Sequence, residues 1–155
     1  MVKALNKKTF INILFTLTAS AVIALSFSSC GSDNETVDHN DGTYSGRSSD
    51  FEEDESGNGA GYGEVSIKIE NNKITECTFR MYNLDGTLKD DSYGADLSRE
   101  NRLKAQKAVQ SANKYASALI GKSSAEDIDA ISGATISCKE FKEAVGNALK
   151  KAEKA

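Results

Sequence analysis

Residues Asp129 to Thr135 read DAISGAT, and a helix signal follows at once. Gly133 and Ala134 carry almost no side-chain bulk, so the backbone there can come close to a large planar or phosphorylated ligand. Thr135 adds a hydroxyl. Ser137 and Glu140 have the spacing of a capping box, which predicts a helix beginning at Ser137. The first amides of a helix lack intrahelical partners, and that end carries partial positive charge. A phosphate linked to Thr135 would gain on the order of 0.3 to 1 kcal/mol from the dipole, plus direct hydrogen bonds. The alternative is an ordinary small-residue turn leading into a capped helix. Asp129 at the motif's start, the amphipathic helix behind it and the upstream pair DGTYSG and GYGEVSIKI favour the ligand site.

Other groupings offer less chemistry. Asp127 and Asp129 could pair as carboxylates, but a solvated loop explains them equally well. The acidic run Asp50 to Glu55 lacks the spaced ligands and central glycine of a calcium loop. The one histidine, His39, sits in the polar tether, so Ser, His and Asp do not assemble into a triad, and no Cys/His spacing suits zinc. No catalytic residue and no metal ligand is therefore expected. Cys77 and Cys138 read more readily as core thiols than as a disulfide pair.

The elements that must position Thr135 are short strands followed by two helices. Thr43 to Ser48 is a first strand. Glu64 to Glu70 alternates, with Val65, Ile67 and Ile69 on one face. Asn71-Asn72 turns the chain, and Lys73 to Tyr82 returns with Cys77, Phe79 and Met81 on one face. Asp85-Gly86 marks a turn before a short Thr87 to Lys89 segment. Ser98 caps a helix to about Ile120, striped by Ala105, Ala108, Val109, Ala112, Tyr115, Ala116 and Leu119 and stopped by Gly121. The second helix carries Phe141, Ala144, Val145, Ala148 and Leu149. Each stripe is one-sided. The expected fold is α+β, an antiparallel β-meander sheet with two amphipathic helices packed on one face.

The N-terminus has a different grammar. Lys3, Lys7 and Lys8 precede an apolar run from Thr9 to Phe27 that ends in Phe27-Ser28-Ser29-Cys30, the pattern of a lipoprotein signal peptide over residues 1 to 29 with lipid on Cys30. Asn12 and several Thr and Ser make the run a mediocre permanent span. Residues 30 to 42 are polar and acidic and are expected to form a flexible tether, leaving 43 to 155 as one small domain. Three of the 19 basic residues and none of the 23 acidic ones leave with the signal, taking the net charge from −4 to −7. Nucleic acid is excluded as a partner by that sign.

Over residues 41 to 150 the chain resembles the FMN-binding domain family, found in flavinylated subunits of Na⁺-translocating NADH:quinone reductase and Rnf complexes and in small FMN-binding lipoproteins. The resemblance rests on the D-x-x-[ST]-G-A-T pattern at Asp129 to Thr135, on Gly61-Tyr62-Gly63 before a strand, and on the C-terminal helix. It implies FMN attached covalently to Thr135 through a phosphoester by a Mg²⁺-dependent flavin transferase with FAD as donor. Asp129, Ser132, Gly133 and Ala134 would be the recognition sequence, and Tyr62, Gly63 and Tyr93 would contact the cofactor, with Tyr82 a further candidate for lining the ring. The respiratory subunits' His/Glu-Thr-Pro-Gly segment is replaced here by MYNLDGTLKDDSYG, so the small lipoproteins are the nearer comparison.

The function implied is a lipid-anchored electron carrier on the outer face of the cytoplasmic membrane, or in an outer membrane, serving a membrane redox partner in extracellular electron transfer. A covalent bond suits that location, where dilution strips a cofactor held only by its dissociation constant. The alternatives are a surface lipoprotein or binding module of the same fold without covalent flavin, and a small flavin-dependent reductase. No nucleotide-binding GxGxxG follows a strand to support the last.

Overall fold

The computed structural model describes residues 37–53 and 60–154; the signal segment and Cys30 lie outside them. Three strands, β1 (Gly42–Arg47), β2 (Tyr62–Glu70) and β3 (Lys73–Tyr82), form an antiparallel sheet in the order β1-β2-β3. Two helices follow, α1 (Arg99–Leu119) and α2 (Thr135–Ala152). The architecture is the α+β arrangement expected. Thr87 to Lys89 adds no strand, only an isolated bridge from Leu88 to Tyr82.

The β2–β3 hairpin turns on Asn71 and Asn72, both at positive φ (52° and 59°), as a two-residue type I′ connection requires. Ile69 pairs with Ile74 and Lys68 with Glu76, so Thr75 is the extra residue of a bulge. That residue restores the alternation, and Val65, Ile67, Ile69, Ile74, Phe79 and Met81 all face one way and are buried. Both helices pack on this face, α2 over β1 and β2 and α1 over β3. The other face, with Glu64, Ser66, Thr78 and Arg80, has the polar composition of a solvated sheet. Gly46 lets α2 approach β1, since a Cβ there would lie 1.9 Å from the Ala144 carbonyl oxygen.

The stripes are close to those expected, with Ser111 added in α1, and with Ala108 and Val109 of α1 and Leu149 of α2 only partly buried. Ser98 caps α1 by accepting from the Asn101 N–H at 3.4 Å, and Gly121 (φ 80°) ends it.

The last part of the expected tether is docked. His39 is buried, and its backbone N–H and Nδ1 reach Asn72 Oδ1 at 3.0 and 2.9 Å. The Asn40 N–H donates to the Ala152 carbonyl at 2.7 Å, and the Lys154 N–H donates to the Asp38 carbonyl at 3.0 Å. Backbone pairing, not apolar burial, holds this segment, and composition carries no sign of it.

Candidate functional site

Thr135 is the first residue of α2, two positions earlier than the capping box predicts. Gly133 at φ 79° makes the turn, closed by the Ala134 N–H donating to the Ile131 carbonyl at 2.8 Å. Ala134 then serves as N-cap with no side-chain cap bond, and its carbonyl accepts the first helical bond, from the Cys138 N–H at 3.1 Å. The Ser137/Glu140 box therefore does not form. Both residues lie inside the helix and are buried. The amides of Thr135, Ile136 and Ser137 precede that first bond, and Thr135 itself is exposed beside them.

Tyr115 holds this loop in place. Its buried hydroxyl accepts from the Ile131 N–H at 2.8 Å and donates to the Ala134 carbonyl at 3.0 Å, bracketing Ser132 and Gly133. Its ring stacks on Phe141 at 5.6 Å, tying α1 to α2 directly under the loop. Burial pushes the phenol's pKa up, so the hydroxyl keeps its proton and can donate as well as accept. The sequence reading placed Tyr115 in the core stripe, and nothing in the periodicity distinguishes its hydroxyl from an ordinary core tyrosine's.

Lys107 of α1 is a second residue that the sequence reading missed. Its Nζ lies 3.2 Å from where a Cβ on Gly133 would sit, so its stem crosses the glycine and brings a cation to the motif loop. Of the predicted recognition residues, Asp129, Ser132 and Gly133 are exposed along this loop and Ala134 is buried beneath it. These four, Thr135 and Lys107 are brought together.

The predicted flavin-ring residues divide. Tyr93 lies half-buried in the β3–α1 loop, with its carbonyl accepting from Gln106 Nε2 at 2.7 Å and Lys89 Nζ 5.2 Å from its ring centroid. Gln106 neighbours Lys107, so this loop and the Thr135 loop meet the same stretch of α1. Tyr62, in contrast, is on the sheet face away from the helices. Its ring takes the Arg47 guanidinium at 3.7 Å from one neighbouring strand and stacks on Tyr82 from the other, at 5.2 Å and 16°. Gly63 faces the helices, where a Cβ would lie 2.6 Å from Phe79 Cε2 and 3.1 Å from Glu140 Cβ; its lack of side chain serves protein packing. Gly61 does the same beneath Lys89, whose Nζ would be 2.5 Å from an added Cβ.

Gly63 also leads to an unusual acid. Glu140 is 1% exposed, and its Oε1 has no hydrogen-bond partner among the described residues. Lys89, itself buried, supplies the nearby positive charge and donates to the Ala60 carbonyl at 2.9 Å. Burial raises the Glu140 pKa while Lys89 opposes it, and burial lowers the Lys89 pKa while Glu140 opposes that. The Tyr93 phenol is raised by burial and then by the charges of Glu140 and Glu53.

The cysteines take no part. Cys77 and Cys138 are free thiols, and burial pushes Cys77 up to about 12, which removes it as a nucleophile. Among the described residues no group of His, Cys, Asp and Glu has the arrangement of a metal site, and no helix is long and apolar enough to cross a membrane.

Residues 58–150 match the model of the FMN-binding domain. The chain belongs to this family. The family segment contains the Thr135 loop, the Tyr93 loop, the β2–β3 hairpin, α1 and all but the last two residues of α2. The fold is also similar to that in the crystal structure of the CPE2226 protein from Clostridium perfringens, at 28% identity and a TM-score of 0.53, over 74% of this chain and 88% of that one. No curated protein gives a match. As a member of the FMN-binding domain family the chain is an FMN-binding flavoprotein. Its residues fit such a cofactor on two structural counts: the uncapped amides at Thr135 suit a phosphate, and the orphaned Glu140 oxygen suits a polar group of a ligand.

Proposed function

We propose that this chain is an extracytoplasmic electron carrier, anchored by lipid on Cys30, with FMN joined to Thr135 through a phosphoester. The observation that carries the reading is the state of Thr135: exposed, at the first position of an uncapped helix, with Lys107 against the adjoining glycine. A phosphate diester at that hydroxyl meets three amides that have no intrahelical partner, the helix dipole and a cation. Attachment requires a flavin transferase. The Thr135 oxygen replaces AMP on the FMN phosphorus of FAD, and the hydroxyl proton leaves with AMP, so the bond formed is a phosphoester and the bond broken is the phosphoanhydride of FAD. Mg²⁺ belongs to that enzyme.

When bound, FMN supplies the electron chemistry, and the protein supplies orientation and electrostatics. Tyr115 fixes the loop that presents Thr135, and Lys107 offsets the phosphate charge. The partners of this reading are the transferase and a membrane redox protein that feeds or drains the flavin. The test is co-production of the full chain with a flavin transferase, followed by denaturing electrophoresis. A fluorescent band at the chain's mass that disappears in Thr135→Ala supports the reading. Flavin released by denaturation, or retained in Thr135→Ala, favours a binding module of the same fold without a bond at Thr135.

A further inference from the structure

Glu140 and Lys89 are left unexplained by phosphate attachment. Two buried charges flank Gly61 and Gly63, one carboxylate oxygen has no partner among the described residues, and Tyr93 lies beside them. An orphaned buried acceptor is uncommon and calls for a group that completes it.

We infer that Glu140 and Lys89 receive the imide edge of the flavin ring, Glu140 accepting from its N3–H and Lys89 donating to the neighbouring carbonyl. The inference rests on FMN being carried at Thr135 and adds the contacts that orient its ring. Three observations support it. First, reach: Glu140 is five residues along α2 from Thr135, about 7.5 Å in rise and about 140° around the helix, a separation of about 12 Å that the ribityl chain and the ring together can span. Second, chemistry: the imide edge presents a donor flanked by carbonyl acceptors, and a carboxylate beside an ammonium is its complement. Third, the surroundings: the loop that supplies Lys89 and Tyr93 leaves Leu84, Leu88 and Leu97 exposed at 46, 43 and 46%. Apolar side chains exposed in the loop that carries Lys89 are available to the ring's dimethylbenzene end.

The groups facing this position are Glu140 from α2, Lys89 and Tyr93 from the β3–α1 loop, and Glu53, whose charge reaches Tyr93. The test is an alkaline absorbance titration of the ring imide in flavinylated full-length protein. A carboxylate accepting from N3–H resists loss of that proton. Glu140→Gln keeps the acceptor but loses the charge, so its imide ionises about tenfold more readily than in the wild type, a shift of about one pH unit. Lys89→Met removes the donor to the ring carbonyl and moves the visible absorption band. An imide that titrates identically in wild type and Glu140→Gln, or a band unmoved in Lys89→Met, overturns the assignment while the covalent band on the gel still stands. Absence of that band from the wild type overturns both readings together.

Discussion

Removing the single oxygen of Tyr115 isolates the restraint on the Thr135 loop. Tyr115→Phe retains the ring and its stacking on Phe141 and deletes both hydrogen bonds of the hydroxyl. The two losses differ in kind. The Ala134 carbonyl keeps its bond from the Cys138 N–H, so losing the tyrosine donor there costs about 1 kcal/mol. The Ile131 N–H has no such substitute, but Ile131 is half-buried and water can reach it in part, which places the cost at about 1 to 2 kcal/mol. The sum, about 2 to 3 kcal/mol, lowers the unfolding midpoint of a domain this size by roughly 8 to 12 °C. Urea and thermal unfolding of the flavin-free protein measure it, and the rate of flavin attachment by the transferase is read in parallel. A loosened loop slows attachment even where the protein remains folded. A stability change below about 0.5 kcal/mol together with unchanged attachment would refute the argument that this hydroxyl sets the loop.

Three other outcomes are expected. Lys107→Met slows flavin attachment about two- to fivefold, as for an exposed cation near a phosphate, and the difference from wild type fades at high salt, which an ionic-strength series of the transfer reaction checks. Gly46→Ala costs about 3 kcal/mol, because its methyl would meet the Ala144 backbone and α2 must lift from β1; chemical denaturation measures it. Glu140 titrates above its ordinary 4.5 in the fold, so the folded chain holds its proton where the unfolded chain has lost it. Stability of the flavin-free protein therefore declines as pH rises from 4.5 and levels off beyond the folded value. Glu140→Gln removes this decline, and unfolding midpoints measured across that window decide the point.

The sheet and the helix stripes were legible because both periods are strong: Val65, Ile67 and Ile69 alternate over one buried face, and Ala105, Ala112, Tyr115, Ala116 and Leu119 recur at helical spacing. The misreadings share a cause. Ser137 and Glu140 match a capping box by spacing, yet the Gly133 turn starts the helix earlier and rotates both residues inward, a tertiary outcome that a local pattern does not encode. His39 was assigned to the tether on composition, whereas main-chain bonds to the end of α2 hold its segment. Tyr62 lies on the sheet face away from the helices, a placement that β2's own alternation already contained. Lys107 was invisible because its role depends on α1 crossing Gly133, twenty-six positions away in the chain. Of the candidate site, the sequence conveyed the motif and its chemistry, and the fold contributed the residues that hold and complete it.

In the proposed function the Thr135 hydroxyl carries the flavin phosphate. Peptide mass spectrometry of the full chain, co-produced with a flavin transferase, tests it directly. The peptide spanning Asp129 to Thr135 is expected to gain the mass of FMN less one water, with fragment ions assigning the gain to Thr135. An unmodified peptide from protein exposed to an active transferase, or a flavin assigned to another residue, would contradict it.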